Sequence, residues 1–252
     1  MKMEAGQDAV LTARLSDAVR MAEQKNRCHF VGFLDEREAE IARGVMRRLR
    51  FDRFLLWGGH EEAERVLFGA FPSYLDPEPS AFPLAAITAR FRREDALSHR
   101  DFLGDLLSRG IQREALGDIL LEEGRAVFFV REEVASFLVG QTEKIGRTGV
   151  KLMEGAEEPF PRAHRFEELS AVVASPRLDC VTAALAGLSR EKAAAAIAAG
   201  LVTLNYREET SVSCPVEEGA KLSVRGKGKF VIDRLGPYTK KGRLCLTGRK
   251  YV

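Results

Sequence analysis

The chain of 252 residues has few cysteines and no long hydrophobic run. Its four cysteines lie far apart and form no C-x-x-C pair, which argues against a disulfide framework or a four-cysteine zinc site. We expect these thiols to be free and mostly buried. No run of about 18 uncharged apolar residues is present, and the N-terminus lacks the apolar segment of a signal peptide. The sequence therefore predicts a cytoplasmic protein with no membrane span.

The motifs that mark common catalytic and nucleotide-binding sites are also missing. There is no Walker A loop, no G-x-G-x-x-G after a strand, no G-x-S-x-G elbow and no H-E-x-x-H helix. Cys28, His29 and His60 carry metal-ligating atoms, but each lies in or beside an apolar strand, which favours a structural role. We therefore predict no catalytic residue, no metal and no cofactor.

Basic residues are concentrated in the last third of the chain. Apolar residues make up 45% of the sequence, which is enough for folded domains with buried cores. Residues 177–252 carry 14 Lys and Arg against 7 Asp and Glu, whereas residues 1–176 carry 25 against 30. This asymmetry suggests that the C-terminal segment binds a polyanion such as RNA.

Residues 1–76 alternate helices and strands, as is typical of a small α/β domain. The predicted elements are helices over residues 8–24, after the N-cap Asp35 and over residues 61–68, and strands over residues 28–34 and 54–57. Three prolines between residues 71 and 80 favour an extended linker to the next domain.

Residues 82–155 have the element order β-α-β-β-α-β, which is the split βαβ pattern of ferredoxin-like folds. The predicted elements are strand 84–91, helix 98–109, strands 118–121 and 125–130, helix 132–141 and strand 147–153. Many RNA-binding modules share this plait, although the fold alone does not define a function. Phe128 and Phe129 could stack on bases, but the aromatic-glycine signature of RNA-recognition plaits is missing, which favours a place in the core.

Two short helices with basic residues at their starts are predicted near the C-terminus. Arg177 opens a helix that runs to Leu185, and Ser189 is the expected N-cap of a second helix that contains Arg190 and Lys192. The unpaired N–H groups of a first helical turn attract phosphate, and a guanidinium adds bidentate donors. These residues are candidates for phosphate contact, with a salt bridge as the alternative for Arg190.

Charged and apolar residues alternate between residues 221 and 230. If this stretch is a regular strand, Lys221, Arg225, Lys227 and Lys229 project from one face. The two intervening glycines could bulge the strand or let a sugar-phosphate backbone approach closely. Such a row of like charges predicts phosphate contact, with a solvated face as the alternative.

The C-terminal stretches resemble the RNA-binding domain named after small-subunit ribosomal protein four, which is also called the αL motif. The matching stretches are Arg177–Asp179, Leu188–Ala193, Val216–Gly219 and Val224–Gly228, together with Ile197, Gly200, Val202 and Asn205. Tyr206 departs from the family, which has a glycine after the asparagine in a two-residue type I′ turn. We therefore expect a longer turn at this position.

The whole chain resembles the YlmH-type family of bacterial RNA-binding proteins. The N-terminal segment Trp57–Arg65 and the central stretches His99–Asp101, Gly110–Glu114 and Lys144–Arg147 carry this resemblance. It implies a protein that binds free or stalled large ribosomal subunits, in a pathway that extends a stuck nascent chain without a template, typically with alanine. By motif position, Arg177 and Arg190 would be the main RNA contacts, with Ser189 and Lys192 beside them. Family members were also linked to cell division through their gene neighbourhood.

The sequence therefore predicts an α/β (α+β) protein with three domains: an N-terminal α/β domain at residues 1–76, a ferredoxin-like plait at 82–155 and an S-four-type RNA-binding domain at 170–252. We expect a monomeric, non-enzymatic ribosome quality-control factor that binds large-subunit rRNA and tRNA, with other quality-control factors as further partners. One alternative is an RNA-modifying enzyme of the pseudouridine synthase or methyltransferase type, although neither a catalytic aspartate motif nor an adenosylmethionine-binding loop is found. The other alternative is a cell-division adaptor.

Overall fold

The structure, a computed structural model, describes residues 2–161 and 166–251. The chain divides into two compact units, Met1–Ala163 and His164–Val252. Helices and antiparallel sheets occur in both units, which confirms the mixed α/β class. The predicted domains 1–76 and 82–155 both lie in the first unit, and the boundary between them stays a prediction.

The N-terminal part of the first unit is a three-stranded antiparallel sheet covered by two helices. Its elements are α1 (Lys2–Lys25), β1 (His29–Leu34), α2 (Glu36–Leu49), β2 (Phe54–Trp57) and β3 (Val66–Ala70), with sheet order β1-β3-β2. Asp35 caps α2 as predicted: its carboxylate accepts from the Glu38 N–H at 2.8 Å, and the Glu38 carboxylate accepts from the Asp35 N–H at 2.9 Å. This capping box fixes where α2 begins.

The predicted helix over residues 61–68 is wrong. Residues 58–65 form turns, and residues 66–70 form β3, the central strand of the sheet. The Asp118 carboxylate accepts hydrogen bonds from the N–H groups of Glu64 and Arg65 at 2.8 and 3.0 Å. These bonds satisfy the loop amides outside a helix, and the apolar residues that follow pair on both sides as a buried strand.

The second half of the first unit is the predicted ferredoxin-like plait. Its elements are β4 (Leu84–Arg90), α3 (His99–Ser108), β5 (Leu116–Glu122), β6 (Arg125–Arg131), α4 (Glu132–Gln141), the short hairpin β7 (Lys144–Ile145) and β8 (Thr148–Gly149), and β9 (Lys151–Glu154). The sheet order is β5-β6-β4-β9 with all pairs antiparallel, which is the split βαβ arrangement. The predicted last strand, 147–153, begins at Lys151 because the β7–β8 hairpin occupies the residues before it.

The two sheets of the first unit pack face to face. One face of the plait packs against α3 and α4, where Phe128 is fully buried. Its other face packs against the three-stranded sheet, where Phe129 is 2% exposed among Phe33, Leu67 and Phe71. Because side chains alternate along β6, the two neighbouring phenylalanines enter two different cores, and the structural role favoured for them is confirmed.

The prolyl stretch at residues 71–80 is not a free linker. Phe71 is fully buried and Phe82, just beyond the stretch, is 7% exposed, both in the core between the two sheets. Arg53 donates to the Pro72 carbonyl at 3.0 Å and pairs with Asp76. The connection is therefore packed into the core at both ends, and Arg53 holds its middle by a hydrogen bond and an ion pair.

The second unit is a six-stranded antiparallel sheet with two helices packed on one face. Its elements are β10 (Phe166–Val173), α5 (Leu178–Ala186), α6 (Arg190–Ala198), β11 (Val202–Leu204), β12 (Arg207–Glu208), β13 (Lys221–Val224), β14 (Gly228–Tyr238) and β15 (Leu244–Tyr251). The sheet order is β10-β15-β14-β13-β11-β12. Leu222, Val224 and Phe230 point from the sheet into the core beneath the helices.

Two turns of this unit differ from prediction. Tyr206 does not lengthen its turn: Leu204 pairs with Arg207, and Asn205 and Tyr206 both take the positive φ values that a two-residue type I′ turn needs. Residues 221–230 are not one strand, because the chain reverses after Val224 and returns as β14. A hydrogen bond of 2.9 Å from the Lys227 N–H to the Val224 carbonyl closes this turn.

The four cysteines are free thiols, as predicted, but only Cys180 is buried and the other three are half-buried. Among the described residues, no group of His, Cys, Asp and Glu side chains could hold a metal ion. No helix within the described part of the chain is long and apolar enough to cross a membrane.

Candidate nucleic-acid interface

Two arginines at the starts of α5 and α6 converge on one carboxylate. The Arg177 Nε lies 3.1 Å from Asp179 Oδ1, and the Arg190 Nε lies 2.9 Å from Asp179 Oδ2. Asp179 also accepts from the N–H of Cys180 at 3.0 Å, so its carboxylate is fixed in place. The two guanidinium groups predicted to contact RNA are thus held side by side on a common anchor.

The anchor is buried and the arginines are exposed. The Asp179 side chain is 6% exposed, whereas those of Arg177 and Arg190 are 41% and 59% exposed. Burial raises the pKa of Asp179, but hydrogen bonds from both arginines outweigh burial and hold that pKa below its usual range. The hydrogen bond to Asp179 in turn raises the pKa of Arg190. Two charged donors and one charged acceptor leave a net positive surface that can hold phosphate.

The helix starts add backbone donors to this surface. Ser189 is the N-cap of α6, as predicted, and its hydroxyl accepts from the Lys192 N–H at 3.2 Å. Lys192 itself is exposed in the first turn of the helix. The salt bridge considered for Arg190 does form, but with the Arg190 side chain 59% exposed it leaves room for an anion. We call Arg177, Asp179, Ser189, Arg190 and Lys192 the helix-end cluster.

The remaining predicted site residues lie on the sheet and in a turn of this unit, not at the helix starts. Ser223 pairs with Lys229, and Lys221 pairs with Val231, so both lysines lie on the sheet face opposite the buried Leu222. Arg225 and Lys227 are exposed in the turn between β13 and β14. The expected single row of four charges is therefore wrong, because the chain reverses in the middle of it.

Aromatic rings accompany the two sheet lysines. The Lys221 ammonium lies 5.5 Å from the centroid of the Tyr206 ring, and the Lys229 ammonium lies 5.9 Å from Tyr206 and 5.6 Å from Tyr251. Cations interleaved with rings are typical of surfaces that bind single-stranded nucleic acid. Nothing in the sequence pattern singles out Tyr251, and only the strand register brings it beside Lys229.

Asp179 belongs to the candidate site, but the sequence pattern does not single it out as an individual residue. It stands inside the stretch Arg177–Asp179 that resembles the family, and its spacing of two from Arg177 was the available signal. Its contact with Arg190, eleven residues away, depends on how α5 and α6 pack and is not visible in the sequence.

Comparisons with known proteins agree with an RNA-binding protein. Residues 77–158 match the family model described as "Putative RNA-binding domain in YlmH". The chain is 31% identical over 231 residues to the Bacillus subtilis (strain 168) protein named ribosome-associated protein quality control protein P2, covering 90% of this chain and 89% of the relative. The solved structure of cell division protein ylmH from Streptococcus pneumoniae is 19% identical, with a TM-score of 0.52 over 60% of this chain and 92% of that one, and shares the fold.

The fold and these matches define a protein of two compact units that contains an RNA-binding domain. The identity and the extent of the match to the Bacillus relative go further and fix the family. The chain belongs to the YlmH family.

Proposed function

We propose that this protein is a non-enzymatic, RNA-binding factor of ribosome-associated quality control. The name of the Bacillus relative supports the pathway, and the match of residues 77–158 supports RNA binding. In this proposal the protein works in the cytoplasm as a monomer without a cofactor. It binds large-subunit rRNA and tRNA on stalled complexes while the nascent chain is extended, typically with alanine, alongside other quality-control factors.

The helix-end cluster is the observation that carries the proposal. Its two guanidinium groups share the buried Asp179 carboxylate, so they are oriented before RNA arrives. A bidentate donor that is already oriented loses less entropy when it binds phosphate than a free side chain does. The exposed Arg225 and Lys227 in the β13–β14 turn, and Lys221 and Lys229 on the sheet, supply further positive charge.

The work of such a factor is differential binding rather than bond-making. In this proposal, a large subunit stalled with peptidyl-tRNA presents RNA surfaces that an active ribosome does not leave open. A protein that binds this state more tightly than the others shifts the population toward it by its difference in affinity. RNA helices are recognised mostly through backbone shape and phosphate, which suits a cluster of arginines better than a base-reading groove.

The test is sedimentation of the tagged protein through a sucrose gradient from lysate. We expect the wild-type protein to comigrate with free large subunits that carry peptidyl-tRNA. We expect Arg177→Ala/Arg190→Ala to remain at the top of the gradient. A matched control, Lys240→Ala/Lys241→Ala, removes the same charge from an exposed turn of the same unit and should still comigrate.

Two outcomes would contradict the proposal. If the wild-type protein stays at the top, free RNA is the better substrate, and the RNA-modifying enzyme becomes the favoured alternative, to be checked by detecting modified nucleotides. If both double variants lose comigration equally, binding depends on bulk charge and not on the helix-end cluster. The division role rests only on the name of the Streptococcus protein and the family's gene neighbourhood, and no contact in the described residues favours it.

A further inference from the structure

A cavity of about 530 Å³ lies in the first unit. None of its lining residues belongs to the helix-end cluster. It is formed by the turn after β2 and by the segment that follows β9. Its walls include Trp57, His60, Glu61, Glu62, Glu158 and Phe160. The loop belongs to the stretch Trp57–Arg65 that resembles the family, and the proposed function gives this stretch no role.

Two glycines bring the loop tightly onto the core. A Cβ atom at Gly58 would meet the Arg65 carbonyl oxygen at 2.3 Å, so only glycine fits there. Gly59 has a φ of +101°, and a Cβ atom there would meet the Phe129 ring at 2.3 Å. This close approach lets the His60 ring stack on Phe129, with centroids 5.1 Å apart.

Buried and half-buried polar groups then fix the loop in one conformation. The Asp118 carboxylate on β5 lies 3.1 Å from His60 Nε2 and also accepts from the loop amides of Glu64 and Arg65. The Arg65 guanidinium donates to the carbonyls of Leu116 and Phe33 at 2.9 and 2.8 Å. This wall of the cavity is therefore anchored to both sheets.

The opposite wall is held by a second arginine, which is buried. Arg125 is 7% exposed, and its guanidinium donates to the carbonyls of Glu157 and Pro159 at 2.8 and 2.6 Å. The same segment places the Phe160 ring against Phe129, with centroids 5.9 Å apart. With both walls fixed by hydrogen bonds, the cavity is preformed, which lowers the entropy lost when a ligand binds.

The chemistry of the lining selects for a cation. Trp57 and Phe160 are half-buried rings whose faces can attract a cation, and Glu61, Glu62 and Glu158 are exposed carboxylates around the same space. These carboxylates repel phosphodiesters, which disfavours RNA. Residues 1–163 as a whole carry 24 basic and 28 acidic residues, so the surrounding field does not oppose a cation.

We propose that this cavity binds an arginine side chain presented by a basic segment of a protein partner. A guanidinium is planar, stacks on aromatic rings and offers paired donors to carboxylates, so it fits the lining better than a compact ammonium does. The three carboxylates bind the guanidinium edge, and the rings of Trp57 and Phe160 pack on its faces. This surface gives the first unit a protein-binding role that is independent of RNA binding.

Trp57 makes the test direct, because it is the only tryptophan in the chain. The full-length protein is titrated with a capped Gly-Arg-Gly peptide while tryptophan fluorescence and the indole N–H signal in NMR spectra are followed. We expect a saturable change with this peptide and none with the same peptide carrying citrulline, which has the shape of arginine without its charge. Glu61→Gln/Glu62→Gln should weaken binding by about tenfold through loss of two charged acceptors.

The matched control is Glu23→Gln/Glu94→Gln, which removes two exposed carboxylates of the same unit away from the cavity and should leave binding unchanged. Circular dichroism melting identifies any variant that fails to fold, and Phe160→Leu then tests the aromatic wall without changing charge. The proposal is overturned if the arginine peptide gives no saturable signal, if citrulline binds equally well or if the control pair is weakened as much. A saturable response to a nucleoside would also overturn it, in favour of a base-binding cavity.

Discussion

Replacing Asp179 by asparagine separates two explanations of the helix-end cluster. The substitution keeps the shape of the side chain and removes its charge, so the net charge of the surface rises by one. If Arg177 and Arg190 act as simple point charges, RNA should then bind more tightly. If Asp179 orients them, RNA should bind less tightly despite the added positive charge.

Elementary electrostatics and side-chain entropy give the size of each effect. One extra charge about 6 Å from a phosphate contributes about 0.7 kcal/mol in water, and less with salt. Fixing the rotamers of one arginine costs about 2 kcal/mol of entropy. If Asp179→Asn leaves each of the two arginines about half as ordered before binding, RNA binding must then supply about 2 kcal/mol more. The loss is larger than the gain by about 1 kcal/mol, and we expect Asp179→Asn to weaken RNA binding by about five- to tenfold.

The assay is cosedimentation of the purified protein with purified large ribosomal subunits at fixed salt. Asp233→Asn is the matched control, because Asp233 pairs with the exposed Arg249 in the same unit and its substitution makes the same charge change. We expect the control to bind as well as wild type or slightly better. Tighter binding by Asp179→Asn would refute the idea that this carboxylate orients the arginines.

Two further predictions concern stability. Because the pKa of Asp179 is lowered in the folded state, its ion pairs stabilise the fold above pH 3.8, its ordinary value, and this contribution is lost as the pH falls through the folded pKa. In urea unfolding, wild type and Asp179→Asn should differ by about 1 kcal/mol at pH 7, and the difference should shrink as the pH falls below 3.8. A constant difference would contradict the linkage. Gly58→Ala should destabilise the first unit by about 1–3 kcal/mol because its Cβ atom collides with the Arg65 carbonyl, and Gly44→Ala, which meets nothing within 4 Å, is the control in the same thermal melts.

The elements that could be predicted are those whose determinants lie close together in sequence. The α2 start follows from Asp35 and Glu38, three residues apart, and the α6 start from Ser189. The plait follows from the order of its elements, since a split βαβ pattern has few ways to pair into one sheet. In these cases local propensity and tertiary packing favour the same structure.

The elements that could not be predicted depend on distant residues. Glu61, Glu62 and Glu64 are good helix formers, but Asp118, more than fifty residues later, binds the loop amides and leaves β3 as a strand. The alternation over residues 221–230 fits one strand or two strands joined by a turn equally well. Only the turn places Lys229 beside Tyr206 and Tyr251. Sequence spacing therefore proposes the charged residues of the candidate site but does not predict how they are grouped.

The packing of the first unit also restricts where residues 77–158 could meet RNA. RNA-recognition plaits stack bases on the open face of their sheet, but here that face carries the buried Phe129 and is covered by the three-stranded sheet. A base could reach it only by separating the two sheets. The β7–β8 hairpin remains accessible: Lys144 and Arg147 are exposed there, and Arg109 donates to the Lys144 carbonyl at 3.0 Å, which pins the hairpin to α3. The sheet face of the plait therefore packs against the N-terminal sheet, with the cavity at the edge of this interface. Any contact between this segment and phosphate is then expected on the side of the plait that carries the helices.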